Sequence, residues 1–138
     1  IQSRKTNSIL SHCDVVHSID RLKIVQHIMQ FEQDTGIKRK YFLQINTGSE
    51  EQKSGILLNE ADSFIENCKT NYNFDILGLM CLPPIKEDPA KHFKILRGLA
   101  DNHKLSSLSM GMSHDFETAI KCGATHIRIG TSIFGERA

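Results

Sequence analysis

Apolar residues along this chain fall into short continuous runs separated by stretches with helical spacing, and the two patterns alternate from end to end. Residues 13–16 read as a first strand ending in His17-Ser18. Asp20 then caps a helix whose apolar stripe is Leu22, Val25, Ile28 and Met29, with Gly36 as its stop. Residues 41–45 have the composition of a buried strand, and Asn46-Thr47-Gly48 turns the chain out of it. A polar loop containing Lys53-Ser54-Gly55 leads to a helix from Asn59 that buries Ala61, Phe64, Ile65 and Cys68. Residues 74–80 form the next strand, closed by Cys81-Leu82-Pro83-Pro84, which cannot continue a ladder. Asp88-Pro89 opens a helix with Phe93, Leu96 and Leu99 inward. Residues 105–110 are the fourth strand. Ser113 opens a short helix carrying Phe116, Ala119 and Ile120, and Gly123 ends it. Residues 125–129 are the fifth strand, after which Gly130 begins another helix. Ahead of all these, residues 3–11 read as a helix with Ile9 and Leu10 inward.

Strands separated by single helices require crossover connections and a parallel sheet. The repeat of roughly 28 residues suits an α/β fold of the TIM (β/α)₈ barrel type, which needs ~250 residues. Five of its eight strands are expected here, in a partial barrel forming one domain over residues 1–138. A doubly wound open sheet is the alternative, but the GxGxxG turn that often follows its first strand is absent. Five barrel strands cannot close, so the expectation is a portion of a longer protein, or a chain completed by a partner, with self-association through the open edges as one form of that. The opening Ile1-Gln2-Ser3-Arg4, without an initiator methionine or a signal-like segment, points the same way.

Composition narrows the function classes. The 138 residues are 39% hydrophobic, and 17 basic residues against 16 acidic give a formal charge of +1, so neither a nucleic-acid nor a membrane partner is expected. Lys38-Arg39-Lys40 reads as a solvated strand entrance. Apolar runs fall well short of the ~20 residues that cross a bilayer. Four cysteines without a CxxC pair read as free thiols in a reducing cytoplasm. The seven histidines include no HxxxH or HExxH, so no metal site is expected.

The chemistry concentrates near the end. Ser109-Met110-Gly111-Met112-Ser113 and Arg128-Ile129-Gly130-Thr131 each place hydroxyl and glycine residues where a strand runs out and a helix begins. Unpaired backbone N–H groups and hydroxyls at two neighbouring turns make a cup for a phosphate or sulfate ion. Barrels frequently hold phosphate after their last two strands. From the residues alone, other readings stay open: Ser113 and Thr131 as helix caps, Arg128 as an interior ion-pair residue, Met80, Met110 and Met112 as core fillers, Cys81 as a small buried hydrophobe. His17, at a strand end, is the one histidine retained as a site candidate.

Six segments carry a resemblance: His17-Ser18-Ile19-Asp20, Gln44-Ile45-Asn46, Lys53-Ser54-Gly55, Gly78-Leu79-Met80-Cys81-Leu82-Pro83-Pro84, Ser109-Met110-Gly111-Met112-Ser113 and Arg128-Ile129-Gly130-Thr131-Ser132-Ile133-Phe134-Gly135. In this order they resemble the pyridoxal-phosphate homeostasis proteins, single-domain relatives of the alanine racemase N-terminal barrel. The resemblance implies pyridoxal 5′-phosphate (PLP) at the C-terminal mouth of the strands. It assigns the phosphate to Ser113, Gly130 and Thr131, the pyridine nitrogen to Arg128, and site-lining positions to Met110 and Asn46. It also implies that the lysine holding the cofactor lies on an early strand upstream of this sequence, so covalent attachment is not expected in this chain. An arginine cannot accept a pyridinium proton, and its charge disfavours protonation of the ring. The expectation is therefore a PLP carrier or buffer without strong catalysis; the alternatives are a racemase-like PLP enzyme and a barrel that binds another phosphorylated ligand.

Overall fold

The computed structural model describes residues 1, 5–48 and 54–136. Its elements run α1 (Thr6–His12), β1 (Val15–Ile19), α2 (Leu22–Thr35), β2 (Lys40–Asn46), β3 (Ile56–Leu57), α3 (Leu58–Thr70), β4 (Ile76–Cys81), α4 (Pro89–Asn102), β5 (Ser107–Met112), α5 (Phe116–Lys121), β6 (His126–Arg128) and α6 (Thr131–Phe134). The main path of the sheet is β1-β2-β4-β5-β6, every pair parallel. Five strands in chain order, each followed by a helix, make the partial barrel that the alternation calls for.

The two faces of the sheet separate by residue parity, as a pleated strand requires. Tyr41, Leu43 and Ile45 of β2, Leu79 and Cys81 of β4, and Leu108 and Met110 of β5 join the hydrophobic cluster shared with the helices. From α2 that cluster takes Ile24, Val25, Ile28 and Phe31, each contributing about 1.5–3 kcal/mol by burial. The opposite, concave face carries His17 of β1 stacked on Phe42 of β2, with His126 of β6 edge-on to both rings. Side chains from strands at opposite ends of the path thus meet, so the sheet is strongly curled.

Local chemistry explains the helix ends. Gly36 closes α2 at φ +71°, in the left-handed region that a glycine enters without a Cβ clash. The Asp88 side chain accepts from the Ala90 amide at 3.0 Å, and Pro89 occupies the first turn of α4. Asp20, by contrast, does not cap α2. Arg21 holds the cap position without a side-chain bond, and Asp20 accepts from Arg21 at 2.8 Å instead. Residues 15–19, not 13–16, form the first strand, which puts His17 in mid-strand. Ser113 does not open α5, which begins three residues later at Phe116. The polar loop ends in a two-residue strand, β3, which pairs with the end of β2 through Ile45 and Asn46. Lys53 lies outside the described residues, while Ser54 and Gly55 lead into β3. Among the described residues no helix is long and apolar enough to cross a membrane, and no group of three or more His, Cys, Asp or Glu side chains is arranged to hold a metal ion.

Candidate functional site

Every strand in a parallel sheet points its C-terminal end the same way, so the turns after β5 and β6 share one rim. There the Ser113 Oγ accepts from the amides of Gly130 at 3.2 Å and Ser132 at 3.3 Å. Ser113, Gly130 and Thr131 line one cavity of about 580 Å³, together with Met112, His114 and Phe134. A Cβ built on Gly130 meets nothing within 4 Å, so the space above this glycine is open. The two turns are therefore brought side by side, with backbone donors converging on a single oxygen.

A bulge in β5 aims these groups. Between the register pairs Ser109↔His126 and Met112↔Arg128, β5 spends three residues where β6 spends two. The extra residue is taken up at Gly111, whose φ of +96° is open to glycine and strained for any other residue. Parity reverses across the bulge. Ser109 faces the concave side, Met110 is fully buried in the helix-facing core, and Met112 lines the cavity beside Ser113. Met110 does not line this cavity, whereas Met112 does. Simple alternation through Gly111 hides the switch, and the glycine inside an otherwise apolar strand was the available signal. Downstream of the bulge, the Met112 amide donates to Asp115 Oδ1 at 2.6 Å, which ties the turn to the start of α5.

Arg128 ends β6 on the concave side. Its Nη1 donates to Ser109 Oγ at 2.5 Å and its Nη2 to the Cys81 carbonyl at 2.9 Å. Both partners are neutral, and among the described residues no carboxylate pairs with the guanidinium, so the ion-pair reading is not the arrangement found. Burial lowers the Arg128 pKa, opposed by the fields of Cys81 and Asp115. His17 Nδ1 lies 2.7 Å from the same Ser109 Oγ. Its pKa is lowered from the usual histidine value, first by burial, then by His126 and Arg128. Cys81 is fully buried and its thiol is pushed up to about 12, chiefly by desolvation, so it is no nucleophile.

Asn46 sits at the end of β2 on the same rim but in a separate cavity of about 600 Å³, shared with Ser18, Asp20, Arg21 and Gln44. The structure groups Ser113, Gly130 and Thr131 around one cavity, places Arg128 at the end of β6 against Ser109 and the Cys81 carbonyl, and puts Asn46 in the other cavity. The tyrosines are remote from the rim: Tyr41 bonds Glu32 at 2.8 Å, and Tyr72 accepts from Gln26 at 3.2 Å on the helix side.

Known proteins resemble this chain along its whole length. The family described as alanine racemase, N-terminal domain, matches residues 1–138. The pyridoxal phosphate homeostasis protein of Aquifex aeolicus is 37% identical over 146 residues, covering 99% of this chain and 64% of that protein. Its namesake in Pseudomonas aeruginosa is 43% identical over 143 residues, covering 99% and 62%. The structure of PipY from Synechococcus elongatus solved without PLP aligns at TM-score 0.88 and 28% identity, over 98% of this chain and 67% of that one. With PLP bound, the same protein aligns at TM-score 0.84 and 26% identity, over the same shares. The chain spans a little under two-thirds of the length of the two curated relatives.

Proposed function

Because the chain belongs to the alanine racemase N-terminal domain family and resembles its pyridoxal phosphate homeostasis proteins, we propose that its rim binds pyridoxal 5′-phosphate and that the protein carries or buffers this cofactor in the cytoplasm. The observation that carries the reading is the convergence of the Gly130 and Ser132 amides on Ser113 Oγ. That oxygen marks a position where two backbone donors meet, the geometry an anionic phosphate oxygen uses. The donor set fits the phosphate: neutral amides and hydroxyls, an open face above Gly130, and a cavity about 580 Å³ in volume.

In this reading Ser113, Gly130 and Thr131 hold the phosphate, and Arg128 offers N–H groups toward the ring. PLP, when bound, supplies an aldehyde that captures amines and a ring that withdraws electrons. Arg128 limits the second of these, because a guanidinium beside the ring nitrogen disfavours its protonation. Tyr41 and Tyr72, facing the helices, supply no acid or base at the rim. Binding without strong catalysis is the function these residues support.

The test is a titration of the protein with PLP, repeated in the presence of inorganic phosphate and with Ser113→Ala. PLP should bind, phosphate should compete, and the substitution should weaken both by about tenfold, the scale of one charge-assisted hydrogen bond. Binding of PLP that phosphate does not displace rejects the cup. Steady turnover of an amino acid replaces the carrier reading with a racemase-like enzyme.

A further inference from the structure

We propose that Ser109 is the positioning residue for Arg128, with His17 holding the serine proton away from the guanidinium. The inference rests on the PLP reading only for what Arg128 then faces. Guanidinium groups donate and never accept, so the 2.5 Å contact makes Ser109 Oγ the acceptor from Arg128 Nη1. The serine proton is then free to be donated, and His17 Nδ1 lies 2.7 Å away to receive it. In this arrangement His17 is neutral, with its own proton on Nε2. Its depressed pKa, from burial and from His126 and Arg128, agrees with that state.

The order of donors matters. Without His17 as acceptor the Ser109 side chain would lose one of its two anchors, and its oxygen would be held toward the arginine by the Arg128 contact alone. Stacking on Phe42 at 4.5 Å holds the His17 ring, which in turn holds the Ser109 hydroxyl. The Cys81 carbonyl fixes the second guanidinium nitrogen at 2.9 Å. Two nitrogens pinned from β4 and β5, on a side chain rooted in β6, define the plane of the group. A guanidinium has five N–H donors; those left over point from a fixed frame toward whatever occupies the concave side. Ser109 is fully buried, so no water substitutes readily for its oxygen.

The groups facing this cluster are His17 from β1, His126 and Arg128 from β6, and Cys81 from β4, with Asp115 near the start of α5 acting on Arg128 and Cys81 through space. Arg128 already carries a positive charge, so protonating His17 would add a second beside it.

The experiment uses side-chain NMR on the unliganded protein together with PLP titration. In the parent protein, His17 should be the Nε2–H tautomer, and rotation of the Arg128 guanidinium about Nε–Cζ should be slow. Ser109→Ala should speed that rotation about tenfold and release the tautomer preference, the loss expected for one hydrogen bond to a charged group. His17→Phe keeps the stack on Phe42 and should also speed the rotation, by less; it serves if Ser109→Ala does not fold. In both variants PLP should bind several-fold more weakly while inorganic phosphate binds as before. Unchanged rotation in both variants, or His17 carrying its proton on Nδ1, overturns the proposal. Failure of the parent protein to bind PLP strikes the functional reading instead, because the NMR measurements need no cofactor.

Discussion

Replacing Gly111 by alanine tests the link between the bulge and the rim. A residue with a Cβ at φ +96° is strained by about 1–2 kcal/mol. The added Cβ would also lie 2.7 Å from the Ala119 Cβ and 3.0 Å from the Phe116 Cα. Carbon atoms in contact sit ~3.5–4.0 Å apart, so α5 must retreat by about 1 Å. Overpacking of that kind costs about 1–3 kcal/mol. Together the two effects give about 2–5 kcal/mol, against a total stability of ~5–15 kcal/mol for a domain of ordinary size. With a urea slope of ~2 kcal/mol per molar, the middle of the usual range, the midpoint should fall by about 1–2.5 M. Equilibrium urea unfolding followed by circular dichroism measures this directly. Phosphate binding should weaken in the same variant at low urea, because α5 carries the anchor that Asp115 offers to Met112. Gly98→Ala is the control: it lies inside α4, its Cβ would meet nothing within 4 Å, and it should stabilise by up to ~1 kcal/mol. A Gly111→Ala midpoint within ~0.3 M of the parent protein, with phosphate affinity intact, refutes the reasoning.

Other measurements follow from the same structure. A histidine whose pKa is depressed on folding binds its proton more weakly in the native than in the unfolded chain, so the stability due to neutral His17 is present above the ordinary histidine value of 6.5 and is lost as pH falls below it; urea midpoints from pH 7.5 to 5 should drop more steeply in the parent protein than in His17→Phe, and parallel profiles would remove His17 from the account. Removing the cap with Asp88→Ala should cost about 1 kcal/mol and lower the melting temperature, as read by calorimetry. Thiol labelling of the native protein should reach exposed Cys13 first and half-buried Cys122 next. Cys68, pushed up to about 11, and Cys81 should react only on unfolding.

Much of the architecture is legible in the sequence because its signals are local. Gly36 can end α2 and Asp88-Pro89 can begin α4 whatever surrounds them, since a left-handed residue and a capping carboxylate act within one turn. The proximity of Ser113 to Gly130 and Thr131 is legible too, because successive turns of a parallel sheet must share a rim. What escaped detection depends on pairing. The two residues of β3 carry no period that could be read, and they exist through their partners Ile45 and Asn46. Asp20 has the right chemistry for a cap, yet the helix starts one residue beyond its reach and the neighbouring Arg21 takes its carboxylate. Which methionine reaches the cavity beside Ser113 is equally hidden, because alternation carries no record of a register shift; only β6, pairing across the bulge, determines it.

The hydrogen bond between His17 and Ser109 joins residues 92 apart in the chain. Each pair along the main path, in contrast, joins strands that follow one another in the sequence, apart from the short β3. Closing a longer loop costs more chain entropy before any contact rewards it. Sheet pairing can therefore run ahead while the two ends of the curl are still apart, and the polar layer across the hollow is fitted last. A contact made so late in assembly governs how fast the native state comes undone far more than how fast it forms.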